Sequence, residues 1–183
     1  MPSNTINIRP GVGYLSILSA INYTPYHATA EFVDNSIQSY LDNKAKLRRL
    51  HSNYKLKIDI YVSGAVIEIK DNAAGINKEN YERAFQAAMR PKKQTGLSEF
   101  GMGMKTASIW LSDVWSVVTK AVGETEERTT VFDLKKVMAE KKEVLNVIKK
   151  SVIKEKHYTH ILLKGLSANS PKSQQYGKIK KHL

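Results

Sequence analysis

The spacing of apolar and polar residues changes period several times along the chain. The stretch "YTPYHATAEFVDNSIQSYLDNKAKLRRL" has helical period. Thr24 suits an N-cap and Pro25 the first helical position. Ala30, Val33, Ile37 and Tyr40/Leu41 mark one apolar face, and Glu31, Asp34, Asn35, Gln38 and Asp42 a second, polar stripe. Its basic end, Lys44 to Arg49, suits a helix C-terminus. "KLKIDIYV" then alternates with period two: Leu56, Ile58, Ile60 and Val62 face one way, Lys55, Lys57, Asp59 and Tyr61 the other. Ser63-Gly64 reads as a tight turn and "AVIEIK" as the second strand of a hairpin.

After the turn-rich "DNAAGIN", "NKENYERAFQAAM" predicts a helix with Asn77 as cap and Glu79 in its first turn. "RPKKQTGLSEFGMG" reads as a long loop, and long loops in compact domains are often functional. "MKTASIWL" predicts a helix; "VWSVVTKAV" and "ERTTVFDL" predict strands joined at Gly123. "KKVMAEKKEVLNVI" reads as helix, "THILLKGL" as strand, and "SPKSQQYGKIKKHL" as a short final helix. Helices mixed with hairpins and no internal repeat predict an α/β two-layer sandwich: a mixed, mostly antiparallel sheet covered on one face by helices.

Length and composition narrow the classes. A chain of 183 residues can bury one core, and 42% hydrophobic residues is a globular value. Residues 1–183 therefore read as a single domain. The absence of cysteine excludes disulfides, thiolate catalysis and cysteine-ligated metal, and fits a reducing, cytoplasmic setting. No signal-peptide pattern opens the sequence, and no uncharged apolar run approaches the ~20 residues of a membrane span. A formal net charge of +12 attracts polyanions and makes nucleic acid a candidate partner, although no zinc finger or aromatic RNA motif accompanies it.

Three polar constellations carry candidate chemistry. Glu31 and Asn35 lie four apart on one helix side; a carboxylate there can deprotonate water and a carboxamide oxygen can hold Mg²⁺. Taken alone, Glu31, Asp34 and Asn35 read better as an ordinary solvated helix face. Asp71 ends a strand, with Gly75 in the turn after it. Its carboxylate can accept from an exocyclic amine, and the small Ala73, Ala74 and Gly75 would let a flat base approach; ordinary turn chemistry is the alternative. Gly101 and Gly103 precede a helix start, where backbone N–H groups favour phosphate, and Lys105 adds a charge. Nothing matches GxxxxGK[ST], which disfavours a P-loop ATPase.

In this order the three elements resemble the GHKL ATPase family: gyrase B-type topoisomerases, heat-shock chaperones of the ninety-kilodalton class, sensor histidine kinases, MutL-type repair proteins and MORC proteins. "AEFVDNS" resembles the family's N-box, "DNAAGI" its D-x-G-x-G box and "YTHILLKGL" its last strand; "FGMGMKTAS" is similar to the lid glycine box in MORC and MutL style. The likeness spans Tyr23 to Leu166. There are departures: Ala73 for a glycine, Ser98 for the first lid glycine, Gln38 where aspartate is common, and Tyr158 before the threonine.

The resemblance implies a Bergerat fold that binds ATP and Mg²⁺. Glu31 would be the catalytic base, Asn35 the Mg²⁺ ligand and Asp71 the adenine reader, supported by Thr159. Gly75 and Ile76 would line the site; Gly101, Met102, Gly103, Met104 and Lys105 would meet the phosphates under a lid at about 90–103. The Glu31 carboxylate points to the hydrolysing branch rather than to the histidine kinases. The expectation is slow ATP hydrolysis driving lid closure in the N-terminal domain of a longer DNA-handling or defence protein, with nucleotide-dependent dimerisation of the whole. A non-hydrolysing nucleotide switch and a basic nucleic-acid-binding module with a vestigial ATP site are the alternatives.

Overall fold

The computed structural model describes residues 13–86, 103–141, 143–172 and 175. In chain order the elements are α1 (Tyr14–Leu18), α2 (Pro25–Leu50), β1 (Ile58–Val62), β2 (Val66–Asp71), α3 (Lys78–Phe85), α4 (Gly103–Leu111), β3 (Ser112–Lys120), β4 (Glu126–Asp133), α5 (Leu134–Ala139), β5 (Ile148–Ser151) and β6 (Tyr158–Leu166). The strands form one sheet in the order β1-β2-β6-β3-β4-β5, antiparallel at every pairing. β6, last in sequence, is inserted between β2 and β3, which puts the ends of β2, β3 and β6 side by side.

The register separates two faces. Ile60, Ile69, Ile161, Val117 and Thr130 form one cross-sheet row on the helix-covered side, buried from Ile69 to Thr130. The neighbouring row, Tyr61, Glu68, Leu162, Ser116 and Val131, lies on the open side, where Tyr61 and Val131 are exposed. Trp115 anchors the core, stacked 5.3 Å from both Phe85 and Phe132. Burying an aromatic of that size stabilises by about 2–3 kcal/mol. This is the expected α/β sandwich, with a sheet antiparallel throughout.

The long helix starts as expected, Thr24 accepting from the His27 N–H and Pro25 at the first position. Its core face differs from the expected one. Ala28, Thr29, Phe32, Ser36 and Leu47 are buried, whereas Ala30, Val33 and Ile37 are half-buried and Leu41 is exposed. Small hydroxyl residues fill part of the buried face, with Thr29 donating to Pro25 O at 2.7 Å and the Ser36 Oγ lying 3.0 Å from Phe32 O. Satisfied in this way, they pack like alanines, and a hydropathy pattern does not see them.

The expected helix over "KKVMAEKKEVLNVI" is corrected. Only Leu134–Ala139 is helical, capped by the Asp133 side chain on the Lys136 N–H. Lys141, at φ +49°, takes the chain out of the helix, and Ile148–Ser151 pairs with β4 as an edge strand. Its lysines protect that edge, Lys149 reaching Glu126 at 3.3 Å. The helix predicted from Asn77 forms over Lys78–Phe85 with the Asn77 cap in place; its expected last residues, like the final helix, fall outside the described residues apart from Ser170–Lys172 and Gln175. α1 had no sequence forecast.

Candidate functional site

The site is assembled where the first half of α2 meets the end of β2 and the start of α4, with the neighbouring ends of β3 and β6 beside β2. Glu31 stands on the second turn of α2. Tyr23, just before the helix, donates from its hydroxyl to Glu31 Oε1 at 2.8 Å. Tyr23 is itself seated edge-on against Trp110, ring centroids 5.9 Å apart, and the Trp110 indole N–H bonds to Ile21 O at 2.8 Å. Burial, then the bond to Glu31, raises the Tyr23 phenol well above its ordinary value, so it remains a donor. The other carboxylate oxygen faces Gly103: a Cβ built there would lie 1.8 Å from Glu31 Oε2. The N-terminus of α4 therefore abuts the Glu31 carboxylate, and glycine is what allows the approach.

Asn35 follows one turn later, its Nδ2 donating to Glu31 O at 2.5 Å. Ser36 then bridges helix and sheet, donating from Oγ to Asp71 Oδ2 at 2.7 Å. Asp71 closes β2 opposite Thr159 of β6, and its Oδ1 accepts the Ala73 N–H at 2.9 Å. Burial raises the Asp71 carboxyl above its ordinary value; bonds from Ser36, Ala73 and Thr159, and the nearby His157, oppose that rise. The result is a carboxyl enclosed at the end of a strand with donors on both oxygens.

The turn after Asp71 is fastened from below. Gly75 has φ +70°, and a Cβ on it would meet Lys120 O at 2.2 Å, so both backbone and space require glycine. The Val122 N–H donates to Ala74 O at 2.8 Å, and His157 Nδ1 donates to Ala73 O at 2.8 Å. Thr119 Oγ1 accepts the Ile76 N–H at 2.9 Å, donates to Tyr158 O at 2.9 Å and lies 3.2 Å from Thr159 Oγ1. Ala73 keeps a negative φ, the condition for replacing a glycine there. Ala73 and Ala74 do not offer an open floor to a base, however: both are buried against these partners.

Glu31, Asn35, Asp71, Gly75, Ile76, Gly103 and Thr159 are thus linked through successive contacts. Lys105 is placed otherwise than expected. It is buried, and its ammonium donates to Arg83 O at 3.1 Å and to Gln86 O, the carbonyls closing α3. Burial, then Arg83, pushes its pKa down to about 8. Met104 is half-buried and packs on the main core. Gly101, Met102, Ser98 and the rest of the expected lid before Gly103 lie outside the described residues. Sequence reading missed Tyr23, Ser36 and Thr119; Ser36 follows Asn35 directly, and only the fold tells which face of α2 meets Asp71.

The donor set suits the groups in question. Among the described residues no three His, Asp or Glu cluster to cage a metal. Mg²⁺ commonly takes one or two protein oxygens and completes its shell with phosphate and water, which a single asparagine can serve. Asp71 offers an enclosed acceptor at the end of β2, and Glu31 a carboxylate against the start of α4. Among the described residues no helix is long and apolar enough to cross a membrane.

A search of curated protein sequences gives no significant match. The family model described as histidine kinase-, DNA gyrase B- and HSP90-like ATPase matches residues 23–162, from the tyrosine that holds Glu31 to the strand that carries Thr159. With that match over most of its length, the chain belongs to the GHKL ATPase family, whose domains bind ATP.

Proposed function

We propose that this chain binds ATP with Mg²⁺ and hydrolyses it slowly, with Glu31 as the base that positions and deprotonates the attacking water. The observation that carries the reading is the way Glu31 is held: one oxygen on the Tyr23 hydroxyl at 2.8 Å, the other against Gly103 at the start of α4. Helix N-termini favour phosphate, so a γ-phosphoryl group there would sit beside the carboxylate. Phosphoryl transfer depends mainly on positioning and charge stabilisation.

In this reading Asp71 accepts from the adenine amine, with Thr159 beside it as a second acceptor. Gly75 and Ile76 hold the turn in place; Gly103 and Met104 offer backbone N–H groups to phosphate. Asn35 would hold Mg²⁺ through its carboxamide oxygen, and that ion would offset charge on the phosphates. Lys105 is better placed to fasten the end of α3 than to meet a phosphate. Residues 1–183 then form one ATP-binding domain of a longer, conformationally switching protein. The charge of +12 supports a DNA-handling or defence role for that protein.

The test is Glu31→Gln, followed by ATP-analogue titration and single-turnover hydrolysis. The expected result is affinity within about threefold of wild type and a turnover at least ~100-fold lower, the scale of losing a general base. Nucleotide binding with equal, negligible turnover in both proteins would replace the ATPase with a non-hydrolysing switch. Absence of binding in the wild type would leave only the nucleic-acid module.

A further inference from the structure

We propose that the last two turns of α2 and the loop after it, residues 44–57, form a binding surface for the phosphate backbone of nucleic acid, independent of base sequence. Between Asn43 and Ile58 the chain carries six lysines and arginines and no acidic residue. Lys44, Lys46, Arg48, Arg49 and Lys55 are all exposed. Among the described residues none of these five has a carboxylate at ion-pair distance; only Lys57 does, on Asp59 at 2.8 Å. Elsewhere matched cations, such as Arg128 on Glu124 and Glu126, Lys70 on Glu68 and Lys135 on Asp113, mix with unmatched ones such as Lys150 and Lys154, but the latter have Glu155 beside them in sequence, whereas 44–57 holds no acid. A solvated face kept for solubility interleaves the two signs. A helix C-terminus accounts for Arg48 and Arg49 in the final turn, but not for the lysines before and after them.

Arg48 and Lys55 line an open cavity of ≈ 520 Å³ together with Ser52, Asn53 and Tyr54, and the Ser52 and Asn53 side chains can donate to an anion. The loop is held rigidly. Asn72 accepts the Lys57 N–H at 2.7 Å and donates to Lys55 O at 3.0 Å, and the Tyr54 hydroxyl donates to Asn72 O at 2.6 Å. The Tyr54 ring stacks on Tyr40 at 5.6 Å, and Lys44 lies over that Tyr40 ring. These aromatics are engaged with each other and are not presented to bases, so the surface reads phosphate rather than sequence. An unpaired, preorganised row of cations releases counterions from a polyphosphate at little ordering cost.

The experiment is fluorescence anisotropy of the full chain with a short labelled DNA duplex, between about 50 and 200 mM salt. Four or five phosphate contacts predict a slope of log K on log salt of roughly −4. The triple variant Lys44→Glu/Lys46→Glu/Lys55→Glu should lose more than ~10-fold in affinity at the low-salt end and flatten the slope by about 2–3. The control Lys141→Glu/Lys150→Glu/Lys154→Glu makes the same charge change elsewhere and should stay within about threefold. Both variants are checked for an unchanged melting temperature and ATP affinity, so failure here leaves the ATP reading untouched. An equal loss in the control overturns the location. So does a wild type that ignores the duplex at low salt, or that leaves it for phosphatidylserine vesicles, which would make the partner a membrane.

Discussion

Gly103 and Glu31 cannot both stand where they do if position 103 carries a side chain: the added Cβ would lie 1.8 Å from Oε2 and 2.7 Å from Cδ of Glu31. The obstructing atoms are the far end of a flexible side chain, so the carboxylate can swing aside. Gly103→Ala should therefore fold, with a loss within about 1 kcal/mol, and still bind nucleotide. Its turnover should fall at least ~10-fold, because the base is displaced from the start of α4. Gly75→Ala is the contrast. There the obstruction is the backbone carbonyl of Lys120 at 2.2 Å, with φ at +70°, so the cost falls on the fold, about 2–4 kcal/mol. Denaturant melts of both variants check the ordering; a Gly103→Ala protein with full turnover removes the significance of the contact.

Asp71→Asn should trade function for stability. Burial, its largest cause, raises the Asp71 carboxyl above the ordinary 3.8 despite opposing hydrogen bonds. A raised acid binds its proton more readily in the native state than in the unfolded one. Stability therefore falls as pH rises from the ordinary value through the raised one, and above both the full cost is present. The asparagine variant escapes it, so its melting temperature should exceed that of the wild type at pH 7 and the gap should close toward pH 3. Its affinity for ATP should collapse, since one acceptor oxygen becomes a donor facing the adenine amine. Thermal melts across that range, paired with calorimetry, test both halves; a variant that melts lower at pH 7 and is no less affected at pH 3 contradicts the first.

Much of this was legible in the sequence because the relevant signals are local. Thr24-Pro25 declares a helix start, Ser63-Gly64 a hairpin and Asn77 a cap, and each is found in place. Asp71 could be placed at a strand end and Gly75 in the turn after it because both positions are constrained by their own backbone. What was not legible depends on contacts across the fold. Ser36 matters only because α2 lies over the end of β2, and Tyr23 only because Trp110, far along the chain, gives its ring a seat. Lys105 followed the glycines in sequence, yet its long stem carries the ammonium to the end of α3. Of "EVLNVI" only Ile148 enters a strand, and the pairing of Ile148–Ser151 with β4 decides that.

Lys105 also leaves a signature in pH. Burial, with Arg83 nearby, lowers its pKa from 10.5 to about 8. Between those values the unfolded chain holds a proton that the native state has released, so this group makes stability rise with pH from about 8 to 10.5. Lys105→Met removes that contribution. The difference in melting temperature, variant minus wild type, should therefore decline across that window, independently of the other lysines and tyrosines that both proteins share. A difference that stays flat would mean that the ammonium is solvated, and that its bonds to the Arg83 and Gln86 carbonyls do not persist in solution.

Tyr23 offers the sharpest separation of positioning from binding. Its hydroxyl donates to Glu31, while its ring is fixed by Trp110. Phe at this position keeps the ring contact and removes only the donor. A hydrogen bond to a charged acceptor contributes about 1.5–3 kcal/mol when buried and less at this half-exposed site, so the fold should lose about 1 kcal/mol or less. Nucleotide affinity should hold, because nothing in the adenine end has changed. What goes is the restraint on the carboxylate, and a base free to sample other rotamers spends less time aligned with water, so kcat should drop roughly 5–50-fold at constant KM. A parallel rise in KM would place Tyr23 in nucleotide binding instead, and an unchanged kcat would show that Gly103 and the start of α4 orient Glu31 without it.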